Sequence, residues 1–384
     1  MNLRHLGKTS VPALGLLALS LAAQNLFAQP NTFVQTNLVS DIPGLAAHTD
    51  PNLVNPWGIA ETATSPFWIA DNGSGVTTLY NTSGTPQSLV VTLPAPGGGP
   101  SAPTGEIFNG TGAFNGDLFI FGTEDGTITG WRGALGTNGE TLLDSSASGA
   151  VYKGLALGTI GSNNYLYAAD FHNDHITVLP SSGAPALSGN FTDPNLPAGY
   201  APFNVRNISG QLYVTFAKQD AAAHDDVAGA GNGYIDIFDL NGNFVRRLVS
   251  NGPLDSPWGL TLAPAGFGPF GGDLLVGNFG DGMINAFDPT SGAFLGALDG
   301  LSADPLSIEG LWGLNFGNGG NGGAANTLYF TAGISGGAEV EDHGLFGAIS
   351  SVPDTGATIL LLATAMFGLL AVRRYRLKTD VVRV

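Results

Sequence analysis

Cysteine is absent from the 384 residues. Disulfides therefore contribute nothing to stability, which has to come from a packed core, and Cys-x-x-Cys chemistry is excluded. Basic residues are almost as scarce. Between Gln29 and Gly356 there are six (Arg132, Lys153, Arg206, Lys218, Arg246 and Arg247) against 29 acidic residues, a net charge of −23. A body this acidic repels nucleic acid and anionic membrane surfaces. Cations, cationic ligands or solubility in a hydrated matrix remain open to it. No HExxH, EF-hand loop or P-loop pattern is present, so the chemistry those motifs carry is not indicated.

What is abundant is glycine, 58 of 384 residues, about twice the usual ~7 %. It follows no collagen period and is interleaved with short runs of Val, Ile, Leu, Phe and Tyr. That texture predicts a many-turned all-β protein.

The runs repeat. Pro56-Trp57-Gly58-Ile59, Thr104-Gly105-Glu106-Ile107, Lys153-Gly154-Leu155-Ala156, Phe203-Asn204-Val205-Arg206, Pro257-Trp258-Gly259-Leu260 and Leu311-Trp312-Gly313-Leu314 open six units of similar length. Each continues into a second apolar strand such as Phe67–Ala70, a third alternating strand such as Val76–Tyr80, a turn such as Asn81-Thr82-Ser83-Gly84, and a fourth strand such as Phe244–Val249. Four strands per repeat at this period predict a six-bladed β-propeller over residues 29–350. Two separate β-sandwiches would not explain the period. The last unit has no fourth strand after Gly344–Ser350, whereas Thr32–Val39 is a spare strand at the other end. It is expected to complete blade six and close the ring, leaving no open terminal edge. Glycine in the inner strands suits close approach at the axis, and Trp57, Trp258 and Trp312 are expected in the core.

Both ends differ from this body. Arg4, His5 and Lys8 precede an apolar run from Val11 to Ala23 and a small residue, Ala28. This order predicts a cleavable signal peptide over 1–28, handled by signal peptidase. At the other end Val352-Pro353-Asp354-Thr355-Gly356 leads into apolar residues 357–372 and then Arg373-Arg374-Tyr375-Arg376. A helix there would be about 24 Å long, slightly short for a bilayer core of ~30 Å. The arginines would hold its end in the cytoplasm. A plain membrane anchor is one reading of residues 351–384.

Functional side chains are expected where the second and third strands of each blade connect, because those loops share one rim. Twelve of the 29 acids fall there, with Lys218 as the one base. The candidate metal ligands are Asp71, Asp170, His172, Asp220, His224, Asp225, Asp226, Asn278, Asp281 and His343. Oxygen ligands suit Ca²⁺, and converging histidines would suit a transition metal. Isolated Asp and Asn in such loops also act as turn formers. The expanded segment Lys218–Gly233, combining carboxylates with His224, exceeds what a turn needs.

The polar motif, apolar segment and arginine-rich end resemble the PEP-CTERM class of sorting signals in its Val-Pro-Asp-Ser-Gly variant, with Thr355 in place of Ser. That resemblance implies an exosortase-type protease as partner and display at the cell surface or in an extracellular polymer matrix, in a Gram-negative bacterium. His48–Gly58, Lys218–Phe238, Pro257–Gly282 and Leu311–Gly333 resemble an uncharacterised family of bacterial secreted proteins with such tails. More loosely, the repeat looks like NHL-type and gluconolactonase-like propellers, the latter Ca²⁺-dependent lactone hydrolases. Glu106, Asn204 and Glu309 lie near the inner strands, but no residue-by-residue match to that family's ligands emerges. The expectation is a non-catalytic binding propeller whose acidic rim engages a cation, polymer or partner. A metal-dependent lactonase- or esterase-like hydrolase is the alternative.

Overall fold

In a computed structural model, residues 31–337 and 339–352 are described. They form six antiparallel sheets. Blade one comprises Pro56–Ala60, Phe67–Asp71, Val76–Tyr80 and Val91–Thr92. Blade two comprises Pro103–Phe108, Phe119–Thr123, Thr127–Trp131 and Glu140–Asp144. Blade four runs from Tyr200–Ile208 through Gln211–Lys218 and Gly233–Asp239 to Phe244–Ser250. Blade five runs from Pro257–Leu262 through Leu274–Asn278 and Ile284–Phe287 to Phe294–Ala297. The first strand of each blade neighbours that of the next, and blade six returns to blade one. This is the six-bladed propeller.

Blade six closes the ring as the spare strand predicts. Leu311–Phe316, Leu328–Ile334 and His343–Ser351 are completed by Phe33–Ser40, antiparallel to the third, with Phe33 opposite Ser351 and Ser40 opposite Leu345. His48–Thr49 adds a short parallel edge outside it. Blade three departs from the pattern. It has three strands, Tyr152–Ile160, Asn163–Asp170 and His175–Pro180. The turn-rich stretch that follows sends Phe191 into the core shared with blade four.

Because the sheets stack face to face, the middle strands are buried on both sides, as in Phe67–Asp71 and Phe119–Thr123. They therefore read as continuous apolar runs. Six apolar clusters lie between successive blades, and a seventh sits on the axis. Each large side chain buried there contributes roughly 1.5–3 kcal/mol. Among the described residues no helix is long and apolar enough to cross a membrane. The expected signal peptide over 1–28, the expected helix over 357–372 and Pro353–Gly356 of the sorting motif lie outside the described residues.

One device recurs in all six blades. Pairing of the first strand with the second slips by a bulge between Pro56 and Ile59, Pro103 and Glu106, Tyr152 and Leu155, Pro202 and Asn204, Pro257 and Gly259, and Leu311 and Leu314. A bulge re-aims the side chain of the extra residue. The six bulges carry Trp57, Thr104, Lys153, Phe203, Trp258 and Trp312.

Candidate functional site

Four of the six bulge residues form an aromatic plug on the axis. Trp57 stacks on Trp312 with ring centroids 3.4 Å apart, and Trp258 meets both edge-on at 5.6 and 5.9 Å. Phe203 lies 5.9 Å from Trp312, and Phe279 stacks on the same ring at 4.0 Å. The three tryptophans are core, as expected, but they also have a surface role. Trp57, Trp312 and Phe279 floor a cavity of about 580 Å³ at the rim where the loops between second and third strands converge. Its remaining wall carries Asp225, Asp226, Asp281, Glu309 and Glu341.

The fifth bulge residue, Lys153, is 2 % exposed. Its ammonium lies 5.1 Å from the ring centre of Trp57 and 5.8 Å from that of Phe171. It donates to Glu124 and sits 3.6 Å from Asp225 Oδ1. Burial pulls its pKa down, but the charges of Glu124, Asp225 and Glu341 outweigh that and raise it, so it stays a cation. The base among the rim acids is therefore Lys153, delivered by an inner strand. The expected one, Lys218, is exposed at the end of its strand.

A hydrogen-bond chain carries the site across the blades. Asn72 Nδ2 donates to Glu124 Oε2 at 2.8 Å, and Asn55 Nδ2 donates to Asn72 Oδ1 at 3.3 Å and to Glu341 Oε1 at 2.9 Å. Asn55 Oδ1 accepts from Trp312 Nε1 at 3.1 Å. Asn55 and Glu341 both adopt left-handed backbone, with φ of 45° and 79°. Such conformations cost of order 1–3 kcal/mol at a non-glycine residue and cluster at binding sites. Burial pushes Glu341 up to about 7, against its bond from Asn55, and pushes Asp226 up to about 6. Trp57 Nε1 and Asp226 Oδ2 are buried without a partner among the described residues.

The ten expected metal ligands divide sharply. His224 and Asp225 meet, with Nδ1 2.8 Å from Oδ1, and donor atoms of Glu124, His224 and Asp225 all lie within 4.8 Å of one another. Asp226 and Asp281 line the same cavity. The others serve the fold. Asp220 Oδ1 accepts backbone N–H groups of Ala222, His224 and Asp225 and shapes the expanded loop. Asp170 accepts from Val151 and Asn173, and Asp71 accepts from Thr78 while fully buried in its strand. Asn278 donates to Pro253 O and to Asp281. His343 bonds Asp41 at 2.6 Å, and His172 is exposed on its own loop. Among the described residues the histidines do not gather around one metal position. Glu124 and Glu341, counted in sequence only as rim acids, belong to the site. Their membership depends on which blades face across the axis, which spacing within one loop does not reveal.

A His with two carboxylates is a donor set that a divalent ion accepts with open positions. Here the Lys153 ammonium already pairs with two of the three donors, Glu124 and Asp225, so an ion would have to compete with a tethered cation.

Residues 351–376 match the VPDSG-CTERM motif. The chain is 37% identical over 338 residues to the uncharacterised protein R648 of Acanthamoeba polyphaga mimivirus, covering 81% of this chain and 78% of that protein. It is 36% identical over 296 residues to protein L690 of the same virus, covering 72% and 77%. These relatives are viral, whereas the sequence alone suggested a bacterial family. A solved structure of a Bacteroides thetaiotaomicron protein of unknown function superposes with a TM-score of 0.50 at 13% identity, over 83% of this chain and 76% of that one. At that identity the likeness is one of fold.

Proposed function

The chain belongs to the family that includes mimivirus proteins R648 and L690, and we propose that it is an exported propeller that binds positively charged ligands in its acidic axial cavity. One observation carries this reading: five carboxylates and an aromatic floor surround one cavity whose own cation is a single lysine. Clustered charge of one sign on low-dielectric walls concentrates counter-ions, and aromatic faces add attraction for cations. The ligand classes are Ca²⁺, a transition-metal ion held by Glu124, His224 and Asp225, or cationic groups of an extracellular polymer. Export rests on the VPDSG-CTERM match. On this reading signal peptidase would act on residues 1–28 and an exosortase-type protease on the tail, with anchoring or release at the surface to follow.

Calorimetric titration of the purified protein with Ca²⁺, Zn²⁺ and a cationic polysaccharide tests the binding reading. At least one should bind, and Asp225→Asn should weaken it about tenfold or more. Failure of all three, or binding untouched by that substitution, would end it. The proximity of Glu124, His224, Asp225 and Lys153 favours a second reading, a metal-dependent hydrolase using a carboxylate or His224 for proton transfer. A lactone and ester panel with and without chelator separates the two. Turnover lost with chelator and with His224→Ala makes it an enzyme, and no turnover with metal bound leaves a binding module.

A further inference from the structure

A second cavity, of about 340 Å³, lies on the other side of the aromatic plug, where the inner strands end. Its polar lining comprises Glu61, Glu106, Asn204, Arg206, Asn207 and Asn315. Most of these groups are already committed. Arg206 Nη1 donates to Leu260 O and Leu314 O at 2.9 and 3.1 Å, and Nη2 donates to Asn315 Oδ1 at 2.7 Å, bracing blade four against blades five and six. Asn315 Nδ2 donates to Glu61 Oε2 at 2.7 Å. Asn204 bonds Trp258 O and Val205 N, and Asn207 bonds Leu157 O and Gly210 N.

Three carboxyl oxygens are left over. Glu106 is 7 % exposed, and neither of its oxygens has a partner among the described residues. Glu61 is only partly buried, and among the described residues its hydrogen bond from Asn315 uses Oε2 and leaves Oε1 open. A buried carboxyl left unbonded costs about 1–3 kcal/mol, so a fold that keeps one at the wall of a cavity calls for an explanation. Three oxygens are too few for Ca²⁺, which takes six to eight. They match the three N–H donors of a primary ammonium group.

We propose that this end of the channel binds small primary amines, with the ammonium donating to Glu106 Oε1, Glu106 Oε2 and Glu61 Oε1. Burial, with repulsion from Asp71 and Glu61, holds the Glu106 carboxyl well above the usual range. Burial likewise puts Glu61 at about 7, against the pull of Arg206. An ammonium ligand would ionise both groups, so binding near neutral pH releases protons.

The test is calorimetric titration of the whole protein with ethanolamine, in two buffers of different ionisation enthalpy. With Asp225→Asn as the background, which weakens cation binding at the opposite cavity, the expected result is ethanolamine binding with proton release, at least tenfold weaker once Glu106→Gln or Glu61→Gln is added. Choline, which is trimethylated and has no N–H donor, should show no binding that Glu106→Gln changes, and Ca²⁺ should not displace the Glu106-dependent ethanolamine. Thermal melts confirm that the variants fold, and if one does not, the other decides. Choline binding that Glu106→Gln weakens, displacement of the Glu106-dependent ethanolamine by Ca²⁺, an unaffected Glu106→Gln protein or no ethanolamine binding would each overturn the proposal.

Discussion

Glu61 and Glu341 sit at opposite ends of the axis, and burial raises each from 4.5 to about 7. A carboxyl whose folded pKa is raised holds its proton in the native state after the unfolded chain has released it. Native stability from these groups is therefore complete below about pH 4.5 and lost as pH rises through 7. The slope is at most about 1.4 kcal/mol per pH unit for each group. The protein should accordingly melt at a higher temperature at pH 5 than at pH 7.5, and Glu61→Gln should flatten the dependence. A melting temperature that rises steadily over that range would refute it. Neither role was legible beforehand. Glu61 reads as the polar end of an apolar strand, and Glu341 as one more acid in a Gly-rich loop. Their shifts come from what the neighbouring blades place over them.

At the scale of the strand, the inner-strand bulge does two jobs, aiming one side chain at the axis and bringing neighbouring backbones together. In five of the six blades the second job falls to the glycine after it, blade four having Asn204 there. A Cβ on Gly58 would lie 2.7 Å from both Glu106 N and Thr104 O of the next blade. Gly58→Ala should therefore cost about 1–3 kcal/mol, the usual penalty of overpacking. Gly133 is the control, because it lies on the surface and a Cβ there meets nothing within 4 Å. Gly133→Ala should leave denaturant midpoints unchanged within about 0.5 kcal/mol. Equal effects at both sites would show that the close approach carries no energetic weight. The Trp-Gly repeat made the inner strands easy to find, and double-sided burial did the same for the second and third strands. Outer strands were harder because one face meets water, as in Phe294–Ala297, and the fourth strand of blade three is missing altogether. The bulges were invisible, since a register slip changes no residue type.

The ring as a whole is closed by Phe33–Ser40, which comes from the opposite end of the sequence to its partner strand His343–Ser351. The closure reaches beyond one sheet. Phe33 packs against Phe267 and Phe270 of blade five, with centroids 5.0 and 6.2 Å away, while Leu38 and Val39 enter the core shared with blade one. Phe33, Leu38 and Val39 are buried, and at roughly 1.5–3 kcal/mol each they supply about 5–9 kcal/mol. That is comparable with the 5–15 kcal/mol that separates a typical folded domain from its unfolded state. Replacing Phe33–Ser40 with a glycine-serine segment of equal length should therefore abolish the cooperative melt, although it touches neither cavity. A peptide spanning residues 32–40 added in excess should restore it, because the vacated edge of His343–Ser351 presents the same ladder. Recovery of the melt together with cation binding would establish that the axial cavities exist only in the closed ring. A linker variant that melts within a few degrees of the native chain would show that the other contacts between blades suffice.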